Sequence, residues 1–396
     1  MVMMYNQPNT TPASIDKGAN GTQFNTYYWL RKALIEEKKK QYFSQLADTI
    51  NMPKHMGKEI VRYQYWPLLD DRNINDQGID ATGAVIADGN LYGSSKDIGK
   101  ITGKFPVLSE SGGKVNRVGF ARSTRKGTVA DYGLHVDWSE DAIQFDTDSE
   151  LMSHMTSELV KGVTEMQEDM LQIDLLNAAG QIVYPGSASS RSDLDSTCTL
   201  SYKNLQKLDQ YLTDAHTDVN TKVITGSRMV DTKVIPAARV AYVGSELAMY
   251  LQDMKDNLGR PAWRPVEQYG AATTLLNGEI GSIYRFRIIQ VEKMLFWEGA
   301  GAAVSSGDTV EMFNDGSKYN VYPFLVVGND AFNTVGFQSS GSNGKFKMYR
   351  KNPGIETADR INDPYGKMGF MSLQFWYGFM VNRPERIGLI PCVCPV

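Results

Sequence analysis

Two adjacent carboxylates, Asp70 and Asp71, stand with Arg72, Asp76 and Asp80 in the stretch YWPLLDDRNINDQGID. Paired acids of this kind could serve general acid–base chemistry or bind Ca²⁺. The calcium-loop spacing is not met, because DRNINDQG puts its glycine, Gly78, two places late. Turn formation and pairing with Arg72 account for the run more simply. Cys392 and Cys394 form a C-x-C that could be half of a metal site, but no Cys or His cluster supplies the other half. A terminal strand is the plainer reading. Gly99-Lys100-Ile101-Thr102-Gly103-Lys104 is one residue short of a phosphate loop, and Phe105 follows it. Gly299-Ala300-Gly301-Ala302-Ala303-Val304 lacks the third glycine of a dinucleotide loop. His55, His135, His154 and His216 are far apart, and no G-x-S-x-G nucleophile elbow occurs. The pattern nominates no catalytic, cofactor-binding or metal-ligating residue.

The totals narrow the class. A chain of 396 residues can bury a sizeable core and hold more than one structural unit. Its net charge of −4 and pI near 5.7 argue against a dedicated nucleic-acid binder. No apolar run has the length of a membrane span, and the N-terminus lacks the basic start and apolar stretch of a signal peptide. Three cysteines do not make a disulfide framework, which points to folding in a reducing cytosol.

The element best marked in the sequence is Asp148–Gly180, which has no proline and only one internal glycine, Gly162. Met152, Met155, Leu159, Val163, Met166, Met170, Ile173 and Asn177 recur at steps of three and four, the spacing of one helical stripe. Thr147 and Glu150 fit a capping box. Some thirty residues would make a rod of roughly 45–50 Å.

Around it the chain changes character several times. Residues 1–21 read as a polar arm, disordered when free. Thr22 to about Thr49 has helical spacing through Phe24, Tyr27, Leu30, Leu34, Phe43 and Leu46, with a solvated EEKKK in its middle. Ile60–Leu69 reads as a strand stopped by Pro67. Gly78–Gly113 has no stable period, and an excursion of that length serves another surface or chain. Lys114–Ser123 would be its returning strand. A second unit over roughly 201–338 alternates helices and strands. One helix carries Leu205, Leu208 and Leu212 behind a Ser201 cap. Another carries Leu247, Leu251 and Met254 behind a Ser245 cap and ends near Gly259. Strands are expected at Lys222–Thr225, Ala238–Gly244, Ile283–Val291 and Pro323–Asp330, with Tyr284, Phe286 and Ile288 on one face. In the tail, Phe370–Val381 alternates as a long strand before a bend at Arg383-Pro384.

Read together, these segments resemble a bacteriophage major capsid protein of the HK97-like fold, and more narrowly the N4-like podovirus group. The resemblance lies in YWPLLDDRNINDQGID (Tyr65–Asp80), EDMLQIDLLNAAG (Glu168–Gly180), NGEIGSIYRFRIIQVEKML (Asn277–Leu295), YPFLVVGNDAFNTVGF (Tyr322–Phe337) and Pro353–Ile390. The first twenty residues and Ser187–Thr199 carry no part of it. It implies an α+β shell subunit and not an enzyme. Residues 1–58 would form an N-terminal arm and 59–125 the extended loop with its flanking strands. Residues 126–200 would form the peripheral domain with a spine helix at 148–180, then 201–338 the axial domain, with 339–396 returning to the peripheral domain. Trp29, Trp66, Asp70, Asp71, Arg72, Gly78, Tyr92, Arg122, Arg125 and Trp263 are then candidate contacts between copies. Met152, Met155, Leu159, Val163, Met166, Met170 and Ile173 would be the core face of the spine. The implied partners are further copies as hexamers and pentamers, with portal, scaffolding and decoration proteins. The shell would enclose double-stranded DNA without sequence-specific contact or a membrane, in a virion made in the bacterial cytoplasm. Two alternatives stay open at this point: an encapsulin-type compartment shell, and a soluble hydrolase using Asp70, Asp71 or Asp76.

Overall fold

A computed structural model describes residues 2–3, 42–52, 57–66, 121–145, 150–225, 231–268, 276–305, 312–337, 346–354 and 363–396. Asp70, Asp71, Arg72, Asp76, Gly78, Asp80, Tyr92, Trp29 and the Thr147 cap lie outside the described residues, as does the whole Gly78–Gly113 tract. The chain forms two compact units, Met1–Lys58 with Val129–Val396, and Glu59–Thr128.

In chain order the elements are β1 (Val2–Met3), β2 (Asp48–Met52), β3 (Glu59–Tyr65), β4 (Arg122–Ser139), α1 (Glu140–Gln144) and α2 (Leu151–Asn177). Then come β5 (Gln181–Ile182), α3 (Tyr202–Asp214), β6 (Asn220–Thr225), β7 (Asp231–Val243), α4 (Ser245–Gln252) and β8 (Trp263–Pro265). The chain closes with β9 (Glu279–Ile283), β10 (Phe286–Gln290), β11 (Tyr322–Val327), β12 (Phe332–Phe337), β13 (Phe346–Lys351), β14 (Met368–Val381) and β15 (Ile387–Cys392).

Two sheets organise the larger unit. One runs β1-β4-β14-β12-β2, with β13 also on β14; the other, eight-stranded, runs β5-β15-β11-β7-β10-β9-β8, with β6 on β7. The eight-stranded sheet is covered on both faces, so β11 and β15 are buried at every position. Along β7, Ala241 and Val243 face α3 and α4, packing with Leu205, Leu208, Leu212, Leu247 and Leu251. The alternate residues Val240 and Tyr242 face Leu171 and Leu175 of α2, together with Phe43 and Phe332. Farther along α2, Leu159 and Val163 pack with Trp138 of β4 and Met371, Leu373 and Phe375 of β14. The helix therefore lies against both sheets, one along each half of its length.

Four elements differ from the sequence reading. Instead of ending a helix, residues 42–52 form a 3-10 turn at Phe43–Leu46 and then β2, which pairs with β12 in parallel. Ile283–Val291 is not one strand. It is the end of β9 and the whole of β10, folded back at Tyr284 (φ 54), which lies in the turn, 41% exposed, with its ring 6.5 Å from that of Phe286. Tight hairpins need positive φ, and Tyr284 does not advertise it as Asn or Gly would. The α4 cap is Gly244; Ser245 is the first helical residue and its hydroxyl donates to Glu246. The tail does not return wholly to the first sheet, since β15 pairs with β11 and β5 in the second. Strand exchange in both directions makes residue 338 a poor boundary. Ser201, by contrast, does cap α3, its Oγ accepting from the Asn204 N–H at 3.3 Å.

Candidate assembly surfaces

The long helix α2 carries a polar docking site that its apolar spacing conceals. Leu159, Val163, Leu171 and Leu175 are buried, and Met152, Met155 and Met166 pack half-buried against the first sheet. Met170 is half-buried, but Ile173 is 47% exposed, so it is not a core residue. The buried row continues from Val163 through Gln167, Leu171 and Leu175 in steps of four, beside a second row of Thr164, Glu168 and Gln172. Polar side chains can occupy the second row because partners meet them. Gln172 Nε2 donates to Met294 Sδ at 2.9 Å, and Glu168 accepts the Tyr42 and Phe43 backbone N–H groups at 3.2 and 2.9 Å.

That carboxylate is the centre of a clamp on residues 42–47. Gln45 Nε2 donates to the Asn277 carbonyl at 3.3 Å while its Oε1 accepts the Asn277 N–H at 3.1 Å. Tyr42 donates to Glu292 at 3.1 Å, and Tyr242 donates to the Tyr42 carbonyl at 3.2 Å. The Phe43 ring lies 4.5 Å from that of Tyr242. Gly278, at φ +76, lies so close to Tyr42 that an added Cβ would sit 2.4 Å from its ring. Tyr42 is thereby held at a fixed point.

Asp174 and Tyr377 make the next link between α2 and β14, the phenol donating at 2.6 Å. Burial raises the Asp174 carboxyl above its ordinary value, opposed by the Tyr377 hydrogen bond. Burial likewise raises the Tyr377 phenol, with the Asp174 hydrogen bond adding to it. Both cysteines of the C-x-C sit in the apolar core, and burial pushes Cys394 up to about 12, with Glu246 adding to it. Neither is a thiolate at neutral pH. In the second sheet the Arg287 guanidinium forks onto Glu279 at 2.7 and 2.5 Å, and Arg239 pairs with Asp209, all four side chains being buried.

In the smaller unit, β3 pairs antiparallel with the start of β4, from Glu59↔Thr128 to Tyr65↔Arg122. Alternation divides the ribbon into two faces. Glu59, Val61, Tyr63 and Tyr65 line one face opposite Thr128, Lys126, Thr124 and Arg122, and all eight are exposed. The Arg122 guanidinium lies 4.3 Å from the centre of the Tyr63 ring. On the other face Arg125 Nε donates to buried Gln64 at 3.0 Å. Trp66 is half-buried, its N–H bonded to the Ala121 carbonyl at 3.1 Å. Of the sequence-nominated contacts, Trp66, Arg122 and Arg125 therefore meet in one ribbon. Trp263 stands apart in β8, packed half-buried on the core of the second sheet. Sequence reading named neither Val61, Tyr63 and Tyr65 nor the Glu168 clamp. The alternation of β3 could have pointed to the former; nothing local marks the latter.

A family profile described as phage capsid protein matches residues 122–387, about two thirds of the chain. The chain belongs to the phage capsid protein family. It is 52% identical over 383 residues to the major capsid protein of Pseudomonas phage KPP21, covering 96% of each. Among solved structures it resembles the capsid of Ralstonia phage GP4, with a TM-score of 0.55 at 12% identity over 93% of this chain and 95% of that one. It also resembles the head structure of Helicobacter pylori bacteriophage KHP40, with a TM-score of 0.50 at 9% identity, covering 96% and 99%. At these identities the structures speak to the fold, which is the α+β HK97-like capsid fold. The subunit is a major capsid protein, a structural component of the virion that assembles with itself into a shell. The relatives support neither an encapsulin-type compartment nor a hydrolase using Asp70, Asp71 or Asp76.

Proposed function

We propose that the subunit builds its shell through the exposed face of the β3–β4 ribbon, laid on a further copy of the chain. The observation that carries this reading is the ribbon itself. A two-stranded ribbon is marginally stable in isolation, yet this one exposes Val61, Tyr63 and Tyr65 at 48–56%. Rigid aromatic side chains beside arginine are the composition that protein interfaces favour. Among the described residues of this unit, Arg62, Arg122, Arg125 and Lys126 outnumber Glu59, against a chain of net charge −4. An acidic surface on another copy would complement them.

On this reading Glu59–Thr128 is the extended loop, α2 the spine and the eight-stranded sheet the centre of the axial domain. Copies gather as hexamers and pentamers around double-stranded DNA, with portal, scaffolding and decoration proteins as further partners, after synthesis in the host cytoplasm. The acidic chain would let packaged DNA remain loosely held, since a basic lining binds it by counterion release. Reversing the ribbon charges with Arg122→Glu and Lys126→Glu tests the proposal. The expected product is a folded subunit that forms no shells; shells of ordinary yield and diameter would overturn it.

A further inference from the structure

Among the described residues of the larger unit the chain passes between the two sheets three times. It crosses from α2 to β5 at Ala178–Gly180, from β11 to β12 at Gly328–Ala331, and from β14 to β15 at Asn382–Arg386. All three crossings meet at one place. The Gly180 N–H bonds the Pro384 carbonyl at 3.0 Å, and an added Cβ on Gly180 would sit 2.5 Å from that oxygen. The Gly328 N–H bonds the Arg386 carbonyl at 3.0 Å, while the Asn382 and Arg383 N–H groups share the Ala331 carbonyl at 3.0 and 3.1 Å. Asn382 Nδ2 reaches Asp330 and Asn333, each at 2.9 Å.

One side chain fastens the bundle. Arg386 is 6% exposed and donates to two segments: the Asn329 carbonyl at 2.7 Å between β11 and β12, and, between α3 and β6, the Asp218 carboxylate at 2.9 Å and the His216 carbonyl at 3.4 Å. A planar guanidinium suits this role because its donors diverge in a fixed fork. His216 (φ 53) and Asp330 (φ 52), two of the three described non-glycine residues with positive φ, both lie here. Such backbone persists only where its surroundings over-determine it.

We propose that this joint is a lock, which holds the two sheets at one angle in every position the subunit occupies in the shell. A closed shell of identical chains needs adjustment somewhere, and the lock sends that adjustment outside the joint. The inference goes beyond the ribbon proposal and requires only that the chain forms a shell.

Cryo-electron microscopy of wild-type shells tests it first. With symmetry-independent copies superposed on β7, β10, β11 and β15, the direction of β14 should coincide in all of them. A β14 that fans out between positions would overturn the lock. Amide hydrogen exchange of the full-length protein tests the fastening separately. In Arg386→Met, and more mildly in Asp218→Asn at an acid whose side chain is 68% exposed, the Gly328, Asn382 and Arg383 amides should exchange about tenfold and about threefold faster. Should Arg386→Met fail to fold, Asp218→Asn decides. Unchanged exchange at all three amides in every folded variant would show that Arg386 fastens nothing.

Discussion

Replacing Glu168 with alanine probes the one buried carboxylate that seats residues 42–47 on the spine helix. Two backbone donors converge on its Oε2, from Tyr42 at 3.2 Å and Phe43 at 2.9 Å. A hydrogen bond to a charged group contributes about 1.5–3 kcal/mol, and a buried donor left unpaired costs about 1–3 kcal/mol. The two bonds share one oxygen, so their contributions do not simply add, and the expected loss is about 2–4 kcal/mol. Detachment of the segment instead would expose Phe43 and Tyr42, now 2% and 3% exposed. That route costs about 1.5–3 kcal/mol for each side chain of phenylalanine's size, roughly 3–6 kcal/mol for the two, so the loss of the hydrogen bonds is the cheaper route and sets the expected effect. Glu168→Gln keeps an acceptor oxygen and should lose only about 1 kcal/mol. Urea unfolding of the full-length subunit followed by circular dichroism measures the series. Glu158→Ala, at a half-exposed acid paired with Lys161, is the control and should stay within about 0.5 kcal/mol of wild type. A Glu168→Ala loss no larger than the control would refute the clamp.

Four further outcomes follow from the same geometry. Leu159→Asp or Val163→Asp buries a charge against β4 and β14, and should abolish soluble, folded subunit. Ile173→Asp, at a 47% exposed site, should leave the circular dichroism and melting temperature nearly unchanged. Asp174→Asn should gain stability relative to wild type as pH rises from about 4 toward 7. Its carboxyl is raised in the folded state, so the native protein holds the extra proton and loses that advantage as pH rises through the folded pKa; paired denaturation curves with no pH-dependent difference would contradict this. Met348→Asp, at a 43% exposed position on β13, should leave the melting temperature of the full chain within a few degrees.

How much of this was legible in the sequence depended on whether local chemistry or distant partners set each element. The α3 helix announced itself through Ser201 and three leucines, and both the cap and the leucine face are present. The spine helix announced its existence by spacing, but not which rows it buries. Glu168 and Gln172 look like solvated positions until Phe43 and Met294 arrive from elsewhere in the chain. Phe43 and Leu46 carry helical spacing, yet the clamp bends them into a 3-10 turn and delivers β2 to β12. Local propensity lost to tertiary docking there. The joint was invisible for the same reason, because Arg386 means little until Asn329 and the 216–218 loop meet it. Tyr63 and Tyr65 were readable only as strand residues. What makes them a candidate contact is their exposure, which spacing alone cannot supply.

Electron microscopy of the full-length protein expressed alone or with its assembly partners tests the central claim most directly. Closed icosahedral particles of uniform diameter are expected, lost in Arg122→Glu/Lys126→Glu while the subunit remains folded. A discrete low-mass species under every assembly condition would contradict that claim.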